Sequence, residues 1–382
     1  MKTALQKMKA ILAIDSFKGC LTSEQAESAA SKAFPEGETI SIPVSDGGEG
    51  FSSIVTRILG GEMKQARCSD PLGRSVVASY GLVGRGRVAV IDTASASGLG
   101  LLSRNELNPL AATSYGTGEL VADALDEGVD EIWLGLGGTA TCDGGTGMLQ
   151  AIGYKFMTSG GILPEGHTVL GNIIGIDSSH RHKALSRCRV TGFYDVSVPF
   201  HGTGGAARMF APQKGAGPEM VEALDNWMAQ LCTVYSRFSG REIRQIPGSG
   251  AAGGIGGAMR ACLGASMNPG IWHVLDIAGM GHALDTCDLV ITGEGSADAQ
   301  TIRGKVPYGV LEYVRKYDSE CGDERKTKVV LAAGQVRDLE ILESAGFDAV
   351  IQTTPEDSTL QEALVPETAM ENITSALKGF SE

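Results

Sequence analysis

The stretch DLVITGEGSADAQTIRGK (288–305) changes character halfway along. Its first part is apolar and β-branched, the pattern of a buried strand, and it stops at Gly293. Glu294, Asp298 and Lys305 then follow in a loop broken by glycines. Two carboxylates and an ammonium just past a buried strand point to the edge of a parallel sheet, because ligands of such sheets bind beyond the carboxyl ends of the strands.

The same rhythm recurs at both ends of the chain. KAILAI (9–14) predicts a strand, DSFKG (15–19) a loop, and TSEQAESAASKAF (22–34) a helix with Thr22 or Ser23 as N-cap. ETISIPV (38–44), SDGGEG (45–50) and FSSIVTRIL (51–59) repeat strand, loop and helix. KVVLAAG (328–334) and FDAVIQT (347–353) predict two further strands, with VPYGVLEYVRKY (306–317) as one of the helices between them. Buried strands alternating with helices predict an α/β fold whose parallel sheet is covered on both faces.

The middle of the chain has another texture. Residues 67–93 alternate polar and apolar around DPLG (70–73) and GRG (84–86), as an antiparallel meander does. SYGTGELVADALDEG (114–128) predicts a helix and EIWLGLGG (131–138) a strand. Two segments, HGTGGAARMFAPQKGA (201–216) and PGSGAAGGIGGAMRA (247–261), are rich in glycine and alanine. The expected layout is therefore a discontinuous α/β domain, residues 1–66 with 285–382, and an inserted α/β domain at 67–284.

Composition narrows the partners. A net charge of −13 argues against nucleic acid and against an anionic membrane surface. No run of 18 apolar residues occurs, so no membrane-spanning helix is expected. The apolar part of MKTALQKMKAILAID is too short for a secretion signal, and Met8 could serve as an alternative start. Eight cysteines are scattered without CxxC or zinc-like spacing, which predicts reduced thiols and a cytoplasmic protein. The 53 glycines are about twice the usual share of ~7%.

Three strand ends carry charged, glycine-containing loops, holding Asp15 and Lys18, Asp46 and Glu49, and Glu294 and Asp298. Acids beside a lysine suit a phosphate chain with a divalent cation, since Mg²⁺ takes oxygen ligands and phosphates take cations and backbone N–H groups. Each acid has a plainer reading as a helix cap, and each lysine as a solvated surface charge. No Walker loop is present. GLGGTA (135–140) and GSGAAG (248–253) fit a dinucleotide-type glycine pattern, but no second strand ending in an acid follows either at the required distance. As phosphate-approach loops they offer Gly137, Gly138 and Thr139, and Gly250, Gly253 and Gly254, with close packing as the alternative. Asp143 and Asp195 each follow an apolar run and could be a general base or a turn residue, while Lys214 is a basic point in a loop where a phosphate could rest.

Taken together the chain resembles the bacterial glycerate kinases of type I. The matching strings are DSFKG (15–19), PVSDGGEG (43–50), DPLGR (70–74), SASGLGLL (95–102), SYGTGELVADALDEG (114–128), LGGTATCDGGTGM (136–148), APQKGA (211–216), PGSGAAGGIGGA (247–258), LVITGEGSADAQT (289–301) and GKVPYGV (304–310). They stand in the family's order over nearly the whole chain. The resemblance implies phosphorylation of D-glycerate by ATP with Mg²⁺, usually to 2-phosphoglycerate. It also implies a flavodoxin-like domain made of both chain ends, with an inserted domain of restriction-endonuclease-like architecture. Under it Asp195 is the expected base, Asp46, Glu294 and Asp298 contact Mg²⁺ or a hydroxyl, and Lys18 and Lys214 face phosphate or the glycerate carboxylate. The two glycine loops approach the nucleotide.

The chain departs from the family pattern at Ser296, Ala297 and Val198, where that pattern has an arginine, a large apolar residue and an asparagine, and at Cys20, Phe51 and Cys142. Another small hydroxy acid as acceptor, a NAD-dependent dehydrogenase built on GLGGTA, and a binding protein without catalysis stay open as alternatives, as does a homodimer.

Overall fold

The computed structural model describes residues 9–35, 38–166, 171–287, 289–322 and 326–380; Met8 and Asp288 lie outside them. The chain forms two compact units, one of residues 1–46 with 271–382 and one of residues 47–270. In chain order the first unit opens with strands β1 (Ala10–Ile14) and β2 (Thr39–Ser41). The second unit follows with β3 (Glu62–Ser69), β4 (Ser75–Val83), β5 (Val88–Asp92) and β6 (Glu131–Leu136). It continues through β7 (Lys155–Thr158), β8 (Gly161–Ile162), β9 (Ile173–Asp177), β10 (Arg189–Tyr194) and β11 (Ser266–Pro269). The chain then returns to the first unit for β12 (Leu289–Ala297), β13 (Lys328–Val336) and β14 (Ala349–Gln352).

In the first unit all pairings are parallel and the order is β14-β13-β12-β1-β2. Counted within the unit this is 2-1-3-4-5, the flavodoxin-like order, whose direction reverses between β1 and β12. Alternate residues of β1 serve opposite faces, as strand geometry requires. Ile11 and Ala13 pack with Val290, Leu275, Val310 and Val314. Leu12 and Ile14 pack with Ile291, Ala26, Ala30 and Ile373. Each fully buried Leu or Ile contributes ~1.5–3 kcal/mol, so both helical layers are held to the sheet by its β-branched runs. Thr22 caps the helix Ser23–Ser31 reciprocally with Gln25, the expected N-cap.

The second unit carries a mixed six-stranded sheet, order β11-β10-β6-β5-β4-β3, and a small antiparallel sheet, β8-β7-β9. Strands β3, β4 and β5 are the meander, antiparallel throughout, while β5, β6, β10 and β11 run parallel. The Asp70 carboxylate closes the β3–β4 turn by accepting from the Leu72 and Arg74 amides. The core gathers Leu120, Ile132, Leu134, Met148, Tyr235 and Ile255.

The units divide at 46/47 and 270/271, not at the 66/67 and 284/285 drawn from the sequence. The helix Phe51–Ile58 packs on β4 and β5 instead of on the first sheet, and β3 is the edge strand of β4. At the other crossing, Leu275, Met280 and Leu284 belong to the first unit's core.

Candidate active site

The expected site residues fall into two groups, one in each unit. The first lies at the switch point of the parallel sheet. Strand β12 runs on to Ala297 instead of stopping at Gly293. Ile14 is level with Gly293, and the Asp15 amide donates to the Gly293 carbonyl at 2.9 Å. Asp15, just past the end of β1, therefore neighbours Glu294, which is still within β12 and level with Ala333 of β13. A side chain on Gly293 would sit 2.2 Å from the Ala332 carbonyl of β13; only glycine lets the strands pair there.

Asp15 accepts from the Ser16 amide at 2.7 Å. Burial pushes its carboxyl up to about 6, helped by the charges of Asp46 and Glu294 and opposed by Ser16 and Lys18. Three carboxylates thus share one sheet edge. Lys18 is exposed on the same loop. Glu294 is buried and accepts from the Thr301 hydroxyl at 2.6 Å and from the Lys305 ammonium at 2.8 Å. Asp298 shapes the turn: its carboxylate accepts from the Gln300 amide at 2.7 Å, and its own amide donates to Thr301 Oγ1 at 3.1 Å. Thr301 therefore joins Glu294 to Asp298, and Lys305, at the N-cap of the helix Val306–Cys321, joins that helix to Glu294. From the next strand, Asp338, in a left-handed conformation (φ 51°), accepts the Ala299 amide at 3.2 Å.

The second group lies at the carboxyl ends of β5, β6 and β10, where Asp92 is level with Gly135 and Tyr194 with Leu136. Three loops converge on Gly137. A Cβ there would be 2.6 Å from Gly48 Cα and 3.3 Å from Asp195 Oδ2. Gly138 is exposed with φ +67°, and its carbonyl accepts from the Leu99 amide at 2.9 Å. Beneath this loop lies Lys214, buried, its ammonium donating to the Thr141 carbonyl at 2.6 Å and to Thr139 Oγ1 at 3.3 Å. Burial lowers the Lys214 pKa, against the opposing charges of Cys142, Asp143 and Asp195.

Asp143 resolves as a turn residue. It is fully buried and accepts from the amides of Ser114, Gly145 and Gly147 and from the Ser114 hydroxyl. Gly250, Gly253 and Gly254 are buried too. Side chains on them would meet the Pro199 carbonyl at 2.2 Å, the Thr141 carbonyl at 2.0 Å and Gly144 Cα at 2.8 Å. The Gly250 amide donates to Val198 and the Gly253 carbonyl accepts from Gly144. These glycines lie packed behind the 141–144 turn, with these main-chain groups already paired.

The sequence reading named Asp15 as part of its loop without giving it a role, and passed over Thr301, Asp92 and Thr93. Asp15 and Asp92 carried a signal, since each is the acid that ends or follows a buried apolar run. Thr301 and Thr93 carried none, because a hydroxyl shows its role only through its partners.

The carboxylates can be tested against Mg²⁺. Among the described residues no three His, Cys, Asp or Glu side chains form a closed cage. Mg²⁺ bound with phosphates takes only one or two carboxylates and keeps several waters. Asp46, and Glu294 with its oxygens already accepting from Thr301 and Lys305, are the carboxylates of this edge that could supply one or two such oxygens.

Comparison with known proteins follows the same line. The pattern that defines the glycerate kinase family matches residues 10–380. A glycerate 2-kinase of Escherichia coli is 38% identical over 361 residues, 93% of each chain. A glycerate kinase of Halalkalibacterium halodurans is 38% identical over 360 residues, again 93% of each. A crystal structure assigned to a glycerate kinase 2 of Salmonella typhimurium superposes with a TM-score of 0.78 at 37% identity, covering 98% of this chain and 97% of that one. The chain belongs to the glycerate kinase family, enzymes that transfer a phosphoryl group to an alcohol. GLGGTA gives no support to a dehydrogenase: the dinucleotide loop opens directly into a helix, whereas here the next helix starts only at Thr146. Among the described residues no helix is long and apolar enough to cross a membrane, and all eight cysteines are free.

Proposed function

We propose that the protein transfers the γ-phosphoryl group of ATP to the 2-hydroxyl of D-glycerate, giving 2-phosphoglycerate and ADP. The observation that carries this reading is the switch-point edge, where Asp15, Asp46 and Glu294 concentrate negative charge beside Lys18. Ammonium groups and carboxylates stand together there, Lys305 on Glu294 at 2.8 Å among them, and phosphoryl transfer needs cations and positioning more than covalent help.

In this reading Asp195 accepts the proton of the acceptor hydroxyl as the new O–P bond forms and the bond from the γ-phosphorus to the bridging oxygen of ADP breaks. Gly137, Gly138 and Thr139 meet the nucleotide phosphates through the main chain, with Lys214 bracing them from beneath. Lys18 neutralises a phosphate or the glycerate carboxylate. Asp46 and Glu294, with Asp298 shaping the loop, would hold Mg²⁺, which when bound neutralises charge on the phosphate oxygens. Gly250, Gly253 and Gly254 back the 141–144 turn. Naming of the Escherichia coli relative as a 2-kinase supports the position of transfer.

The test is ADP release with D-glycerate, followed by ³¹P and ¹³C NMR of the product. The expected product carries phosphorus coupled to C2. Coupling to C3, or turnover only with a different hydroxy acid, overturns the assignment.

A further inference from the structure

We propose that Asp92 is a positioning residue for phosphoryl transfer, its carboxylate holding the Gly47–Ser52 turn against the Gly135–Gly138 loop and so fixing Asp195 and Glu49 beside it. This rests on the reading that Asp195 and the 135–139 loop serve the reaction.

Asp92 ends β5 at the sheet edge and is 5% exposed. One oxygen accepts from the Ser52 amide at 2.7 Å; the other accepts from the Ser52 hydroxyl at 2.9 Å and the Gly50 amide at 3.1 Å. The turn it holds carries Glu49 and runs back to Gly48, whose Cα faces Gly137. The next residue works on the opposite loop: the Thr93 hydroxyl donates to the carbonyls of Gly135 and Gly137 at 2.9 and 3.1 Å. Between the two loops sits Gly135, where a Cβ would lie 2.8 Å from the Gly47 carbonyl, 3.0 Å from Phe51 and 3.3 Å from Asp92 Oδ1. Two consecutive side chains therefore tie together both loops that adjoin Asp195. A helix cap alone would account for the Ser52 amide; it would not account for the Gly50 contact or for the Thr93 bonds to the facing loop. Misplacement of about 1 Å in a loop that orients reacting groups costs up to ~10²-fold in rate.

The experiment measures kcat and KM of glycerate-dependent ADP release for Asp92→Asn, Thr93→Val and their combination, at a temperature where thermal melts show each to be folded. Ser52→Ala, which removes only the hydroxyl donor, covers the case in which Asp92→Asn does not fold. The expected result is a fall in kcat of about tenfold or more for each of Asp92→Asn and Thr93→Val, with KM changed less than threefold. The combined variant is expected to lose less than the product of the two, because both release the same contact. Ser52→Ala is expected to lose about threefold in kcat. Parent kcat in folded Asp92→Asn, or in Ser52→Ala when Asp92→Asn does not fold, overturns the inference. Multiplicative losses in the combined variant overturn it as well. Asp195→Asn run alongside separates the readings: if it is inactive while Asp92→Asn is not, this inference alone fails, and if it turns over normally, both fail.

Discussion

Asp92 shows how one buried carboxylate ties chemistry to stability. Burial pushes its carboxyl up to about 6 despite three donors, with the charge of Glu49 adding to the rise. The unfolded chain titrates this group near 3.8. Between those values the folded state binds more protons than the unfolded state, so stability falls as pH rises and the loss is complete above pH 6. The shift corresponds to a change on the order of 3 kcal/mol. Urea midpoints across pH 4 to 7 are expected to decline for the parent through this window and to decline less steeply in Asp92→Asn, where Asp15, also pushed up to about 6, keeps its own share. Identical pH slopes for the two proteins would contradict the assignment.

Strands and their terminal loops were the legible part of the sequence. DLVITG, KAILAI and KVVLAAG announce parallel strands because β-branched residues fill both faces of a covered sheet. The acids after them announce an edge: Lys18, Asp46 and Asp298 fall in one unit in the loops after β1, β2 and β12, whereas Glu294 lies within β12, which runs on to Ala297. Two readings needed coordinates. The helix Phe51–Ile58 is amphipathic in the manner of any α/β helix, and nothing local says which sheet receives its apolar face. Glycines at 250, 253 and 254 have one letter for two physical uses, ligand approach and backbone packing; here a Cβ on each would come within 2.0–2.8 Å of neighbouring backbone, which marks the packing. Gly253→Ala must accommodate φ +67° and a Cβ 2.0 Å from the Thr141 carbonyl. It is expected to cost about 1–3 kcal/mol in chemical unfolding while the Kd for ATP, by titration calorimetry of the folded variant, stays within threefold. Weakened ATP binding without loss of stability would return this loop to the nucleotide.

On the scale of the whole molecule the chain is two α/β units, the first closed only when residues 271–382 return to β1. Within the first unit the net charge of −13 is locally offset, because Lys18 and Lys305 stand beside Asp15 and Glu294. The central claim is that charged side chains at the carboxyl ends of parallel strands serve phosphoryl transfer. Its most direct test is kcat for glycerate-dependent ADP release in Glu294→Gln from the first unit and Asp195→Asn from the second, with folding checked by circular dichroism. Both are expected to fall by about 10²-fold or more with native spectra; parent turnover in either folded variant would contradict the claim.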